Sequence, residues 1–171
     1  MLSLILGITG SLFKLFGYFI LAFGAGDEHL KFLLYLIGTI LMLITAVSKK
    51  STYFILLETV LLAGFGSILF GFGRVLQIAI PLLLSSQVLI YYLLSNRFKD
   101  LNLMIGVFGI AILSCSFAVD GNLIYLLGSI LISYYSYYLY KEGRELAWIW
   151  LILNIIFIFI SGYEFSLEYF A

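Results

Sequence analysis

Seven apolar runs follow one another along this 171-residue chain with only a few polar residues between them, and that succession fixes the kind of fold the chain can adopt. A run of about 20 apolar residues can cross the hydrocarbon core of a bilayer as a helix. No water is present there to take up backbone N–H and C=O groups, so each run must satisfy its own by winding into a helix. The runs cover 2–23, 30–47, 52–72, 75–94, 101–119, 122–140 and 146–163. The implied fold class is all-α: a polytopic membrane protein with seven transmembrane helices.

Composition agrees and excludes other classes. Hydrophobic residues make up 64% of the chain and charged residues 11%, far from the balance of a water-soluble domain. The junctions are too short to hold a soluble catalytic or nucleic-acid-binding domain, and a net charge of zero gives no basic footprint for nucleic acid. Cys115, the one cysteine, sits in an apolar run and reads as a small packed residue, so neither an internal disulfide nor a cysteine-rich metal site is expected. There is no HExxH, no GxSxG and no second histidine besides His29, so the parts for acid–base or metal catalysis are missing. No enzyme activity, metal or cofactor is expected. Residues 2–23 read as a retained span; Ala22-Phe23-Gly24 could pass for a signal cleavage site, but no basic residue precedes the run and Lys14 interrupts it.

Basic residues set the expected orientation, because Lys and Arg near span ends accumulate on the cytoplasmic side. Lys49, Lys50, Arg97, Lys99, Lys141 and Arg144 follow spans 2, 4 and 6, whereas only Lys31 and Arg74 lie at the other side. The N-terminus is therefore expected in the cytoplasm and the C-terminus outside, in the cell (inner) membrane. Asp27, Glu28, His29, Asp120, Glu164 and Glu168 would face outward.

Two sequence matches suggest an internal repeat. Phe16-Gly17-x-x-Ile20-Leu21 returns as Phe108-Gly109-x-x-Ile112-Leu113, and Tyr35-Leu36-x-Gly38-Thr39-Ile40-Leu41 returns as Tyr125-Leu126-x-Gly128-Ser129-Ile130-Leu131. They pair span 1 with 5 and span 2 with 6, leaving span 3 to pair with 7. The expected organisation is a three-helix repeat over 1–73, a connecting transmembrane helix over 74–97 and a second three-helix repeat over 98–171. An offset of four spans preserves direction, so the repeats would be parallel.

Polar residues inside the spans mark the candidate site. A charged side chain in hydrocarbon costs several kcal/mol unless paired or wetted, which makes it a functional-site candidate by default. Glu58 lies in the third run and Lys14 near the middle of the first, and both are expected to face the interior and to pair or share a wet cavity. In the last run, helical spacing places Trp150, Asn154, Phe157 and Ser161 on one face, combining a stacking surface with an amide. Trp148 and Trp150 would more ordinarily anchor at an interface. Gln77, Pro81 and Ser85 share a stripe of the fourth run, where Pro81 is expected to kink the helix and free an acceptor at Gln77. Small residues at Thr52, Thr59, Ala63 and Gly66, at Gly106 and Gly109, and at Ser129, Ser133 and Ser136 read as helix-packing stripes. The candidate substrate-binding residues are Glu58, Asn154, Lys14, Trp150 and Gln77.

In its order of elements the chain resembles the seven-span transporters with a three-plus-one-plus-three plan, a group that includes the SWEET sugar carriers and the PnuC-type nicotinamide riboside transporters. Lys141-Glu142-Gly143-Arg144, followed by Trp148-Ile149-Trp150 and Asn154, is similar to the basic loop, Trp-rich entry and polar residue that open the last span of the PnuC type. The chain departs from that pattern in its shorter length, in carrying Glu58 where an amide is expected, and in having its one proline, Pro81, in the connector. The resemblance implies carriage of a small polar solute through a cavity between two three-helix bundles. A different class, a non-transporting integral subunit or assembly factor of a larger complex, is the alternative expectation. The expected partners are the lipid bilayer and a small-molecule solute, with a second copy of the chain or a membrane partner protein as further candidates and no nucleic acid.

Overall fold

The computed structural model describes residues 2–22, 27–96, 100–119 and 121–170. Arg97, Lys99 and Asp120, used above for orientation, lie outside the described residues. Seven helices account for almost all of it: α1 (Leu2–Ala22), α2 (Glu28–Ser48), α3 (Thr52–Leu69), α4 (Arg74–Leu94), α5 (Leu101–Val119), α6 (Asn122–Lys141) and α7 (Ala147–Phe170). All seven are long and apolar enough to cross a membrane, and no strand occurs among the described residues. Leu12, Phe16, Ile40, Leu83, Phe108, Ile130 and Phe159 point outward, as expected of a bundle whose solvent is lipid. The protein is a multi-pass membrane protein.

Most helix ends fall within two residues of the apolar runs, and the exceptions have local causes. α3 stops at Leu69 instead of Phe72 because Gly71, with φ +67°, reverses the chain, and Phe72 N–H then donates to Ser67 O at 3.0 Å. This is the αL stop in which the last carbonyls find donors just past the helix end. α2 ends the same way at Lys50 (φ 52°) and α6 at Gly143 (φ 85°), with Ser51 N–H on Ala46 O and Arg144 N–H on Leu139 O. α7 runs seven residues beyond 163, so Glu164 and Glu168 belong to the helix and not to an external tail. Glu164 accepts a hydrogen bond from Tyr18 Oη at 3.2 Å.

Backbone neighbours run α1–α2–α3, α3–α4, α4–α5 and α5–α6–α7, and the chain is closed by α1 against α7 and α3 against α5. The helices thus ring a central axis, with α4 strapped across the α3–α5 seam. α4 buries Pro81, Ser85, Val88 and Tyr92, spaced at one helical face. It continues through Pro81, whose ring lies 3.4 Å from where a Cβ on Gly64 would stand.

Close crossings depend on glycine, though only partly at the expected stripes. Gly10 and Gly38 pack reciprocally: a Cβ on either would lie 2.7 or 2.6 Å from the carbonyl oxygen of the other. In the α5–α6 crossing, a Cβ on Gly128 would lie 2.7 Å from Leu113 Cα, and one on Gly109 3.0 Å from Ile132 Cγ1. The stripe expected at Thr52, Thr59, Ala63 and Gly66 does not work this way. Thr59 is exposed and bonds its own helix at Ile55 O, and nothing lies within 4 Å of a Cβ on Gly66.

Gly38→Ala and Gly128→Ala should each destabilise the purified protein by about 1–3 kcal/mol through overpacking. Gly66→Ala, in open space within a helix, should be neutral or stabilising by up to ~1 kcal/mol. Thermal melting in detergent distinguishes them, and equal losses at all three positions would contradict the packing described.

Candidate functional site

Two charges buried in the bundle, Lys14 and Glu58, find each other. Lys14 and Glu58 are 3% and 0% exposed, and Lys14 Nζ lies 2.6 Å from Glu58 Oε2. At about 1.5 Å per residue, Lys14 is ~18 Å into α1 and Glu58 ~9 Å into α3, both counted from the end carrying the α2–α3 turn. Side chains on a helix lean toward its N-terminus, so the long lysine stem slopes back toward the level of Glu58. The stem crosses α2 against Gly38, where a Cβ would meet Lys14 Cγ at 2.8 Å. Lys14 therefore reaches inward to a carboxylate instead of outward to an interface.

The second carboxylate oxygen is held from the opposite side of the ring. Trp150 Nε1 donates to Glu58 Oε1 at 2.8 Å, and the indole stacks on Phe54 with ring centroids 4.0 Å apart and planes 14° apart. Trp150 is thus a buried hydrogen-bond donor and not an interfacial anchor. The backbones of α3 and α7 do not approach each other among the described residues, so α3 and α7 meet through side chains such as these. Asn154, one turn further, donates from Nδ2 to Trp150 O at 2.8 Å, which fixes its flip because only the nitrogen can donate to a carbonyl. Its Oδ1 is buried and has no hydrogen-bond partner.

Of the five candidate residues, four converge. Lys14, Glu58, Trp150 and Asn154 line one enclosed cavity with Tyr35, Leu57, Leu61, Phe65, Leu113, Phe117, Tyr125, Leu153 and Phe157. Its free volume is about 20 Å³, room for one water molecule. Gln77 is elsewhere. It sits in the first turn of α4, donates to Phe72 O at 2.7 Å, and lines a pocket at the other end of the bundle with Asp27, Glu28, His29 and Lys31. The reason is its position: the Gln77–Pro81–Ser85 stripe faces the α3–α5 seam, one helix away from the axis.

Aromatic side chains cap the cavity at both ends. Toward the α2–α3 turn, Phe54 and Trp150 also line a pocket of about 210 Å³ that includes Lys49, Ser51 and Arg144. Toward the α1–α2 end, Tyr125 and Phe117 meet edge-on at 5.0 Å and separate the cavity from a second one of about 40 Å³ at Tyr18, Lys31 and Ser116. Phe117 and Lys31 in turn border an outer pocket of about 410 Å³. Tyr18 stacks on Tyr125 at 5.0 Å and Tyr35 on Phe65 at 4.9 Å, completing the wall. The spaces therefore lie in file from one end of the bundle to the other, divided by rings.

Phe54, Phe65, Tyr35, Tyr125 and Phe117 were not singled out from the sequence. One signal was available: Phe54, Glu58, Leu61 and Phe65 recur at intervals of 4, 3 and 4, much as Trp150, Asn154, Phe157 and Ser161 do, and every residue of both sets is at most 5% exposed. No metal-binding group of three or more His, Cys, Asp or Glu occurs among the described residues. Searches against protein-family models, curated proteins and solved structures found no match for the chain.

Removing one partner of the pair leaves an uncompensated buried charge, at a cost of about 3–5 kcal/mol. Lys14→Met and Glu58→Gln should each destabilise strongly, and the Lys14→Met/Glu58→Gln double variant should recover most of the loss. A double-mutant cycle by unfolding in mixed micelles reads this directly; additive losses would mean that the two charges do not interact.

Proposed function

We propose that the protein is a membrane carrier for a small polar solute, seen in a form closed toward both faces of the membrane. The observation that carries this reading is the file of spaces along the axis, interrupted by the Phe54–Trp150 stack on one side of Glu58 and the Phe117–Tyr125 pair on the other. A carrier that alternates access must pass its bound solute through a form open to neither side, and paired gates around buried polar groups meet that need.

The reading includes two parallel three-helix repeats, α1–α3 and α5–α7, related about the ring axis with α4 as connector. Packing supports it position by position. A Cβ on Gly7 would meet Thr45 and Ile149, and one on Gly106 would meet Tyr135 and Tyr53; Gly10 meets Met42 and Leu41 where Gly109 meets Ile132 and Leu131; Gly38 meets Lys14 where Gly128 meets Leu113. These correspondences pair α1 with α5 at an offset of 99, α2 with α6 at 90 and α3 with α7 at 96. The α2–α6 offset is that of the Tyr35/Tyr125 sequence match. The α1–α5 offset differs by two helical turns from the Phe16-Gly17/Phe108-Gly109 match, because Phe16 and Phe108 both face lipid and are not held to any register. Under these offsets Phe54 corresponds to Trp150 and Glu58 to Asn154, so the rings that stack across the axis are counterparts. Rocking of one repeat against the other would open the aromatic gate at one end while closing that at the other. Lys49, Lys50, Lys141 and Arg144 at the α2–α3 end favour that end as cytoplasmic, with the N-terminus inside.

Reconstituted into liposomes, the protein should take up at least one member of a radiolabelled panel of small amines, amino acids, sugars and carboxylates. Glu58→Gln should slow that uptake by about tenfold or more. Unchanged uptake by a folded Glu58→Gln protein would remove the site from the transport path. Stabilisation by a co-purifying membrane protein, together with no uptake of any solute, would favour the subunit role instead.

A further inference from the structure

We infer that the solute taken by this site is a primary amine, bound as its ammonium on Glu58 in the place that Lys14 occupies in the closed form. The inference rests on the carrier reading of the same cavity and names its chemical class. The protein already contains the complex in tethered form: a primary ammonium at 2.6 Å from Glu58 Oε2, at the end of an unbranched four-carbon stem, inside an aromatic wall.

Two observations favour a cation over an anion. Glu58 is the fixed charge, short, fully buried and held by the Trp150 indole, whereas Lys14 ends a long stem with four rotatable bonds. An arriving ammonium can therefore displace Lys14. An arriving anion would have to take Lys14 while facing Glu58 in the same enclosed space, and like charges there repel strongly. Next, the buried polar atoms of the cavity that lack a partner are Asn154 Oδ1 and the hydroxyls of Tyr35 and Tyr125; the amide oxygen can only accept, and the hydroxyls can accept as well as donate. An ammonium brings three donors, enough for Glu58 and Asn154 together.

The pseudo-equivalent of Lys14 in the second repeat is Leu113, so helix packing at that position does not call for a charge. The lysine is explained by what it does at Glu58: it neutralises the carboxylate while no solute is bound and competes with the solute for it.

The test uses Trp150 as reporter. The chain has two tryptophans, and Trp148→Phe leaves Trp150 alone without touching the cavity. This protein is titrated with n-butylammonium, n-butanol and butyrate, matched in length and differing in charge. Expected is a saturable change of Trp150 emission with butylammonium only, lost in Glu58→Gln and shifted to about tenfold lower concentration in Lys14→Met, where the tethered competitor is gone. Should Lys14→Met not fold, the comparison of the three probes on the Trp148→Phe protein decides alone. A response to butyrate alone, equal responses to all three, or none to butylammonium overturns the inference. Uptake of a neutral or anionic solute by proteoliposomes, uncompeted by butylammonium, overturns the amine class while the carrier reading stands. Absence of uptake for every charge class removes the carrier reading itself.

Discussion

A carboxylate fully buried among membrane helices must be compensated, and the way Glu58 is compensated organises the centre of this protein. Taking one charge from water into such an interior costs several kcal/mol even after relaxation. Lys14 from α1 and the Trp150 indole from α7 each take one oxygen of a carboxylate on α3. Three helices are thereby tied at one point on the axis, and the stack of Phe54 on Trp150 and the turn from Trp150 to Asn154 follow from that placement. The pair does not hold the bundle together by itself. Helix packing does that, and the pair decides which faces of α1, α3 and α7 turn inward.

Much of this was legible in the chain, for a reason that applies to membranes in particular. In hydrocarbon a polar residue is conspicuous, so Lys14, Glu58 and Asn154 stand out of runs of Leu, Ile and Phe, and their convergence could be anticipated from cost alone. Trp150 was reachable through its helical spacing to Asn154. The aromatic wall was not, because Phe and Tyr are common on the lipid-facing surface as well, and Phe16 or Phe159 cannot be told from Phe54 or Phe117 by composition. Gln77 misled for the opposite reason. It is polar and lies in an apolar run, yet it begins a helix, where a side chain can satisfy itself on the preceding turn at Phe72 O.

Under the proposed repeat, register between the two halves would be legible only where side chains are constrained from both sides. Tyr35 and Tyr125 are buried and packed, so a likeness between them is constrained by neighbouring helices. Phe16 and Phe108 face outward, where any large apolar residue serves, and a likeness between them carries no spatial information. The lesson is physical: in a bundle surrounded by lipid, only the positions that touch protein record the fold.

The glycine crossings have a mechanical side. Between α1 and α2, and between α5 and α6, backbones touch backbones, with no side chain between them to bend. Across the axis, α3 and α7 meet at the Phe54–Trp150 stack and at the carboxylate that Lys14 and Trp150 hold, groups that can turn about their own bonds while the helices stay intact. If the two groups of three helices proposed as repeats are displaced against each other, the rings and the carboxylate around Glu58 are where that displacement can be taken up by rotation about side-chain bonds, without a hinge residue in any loop.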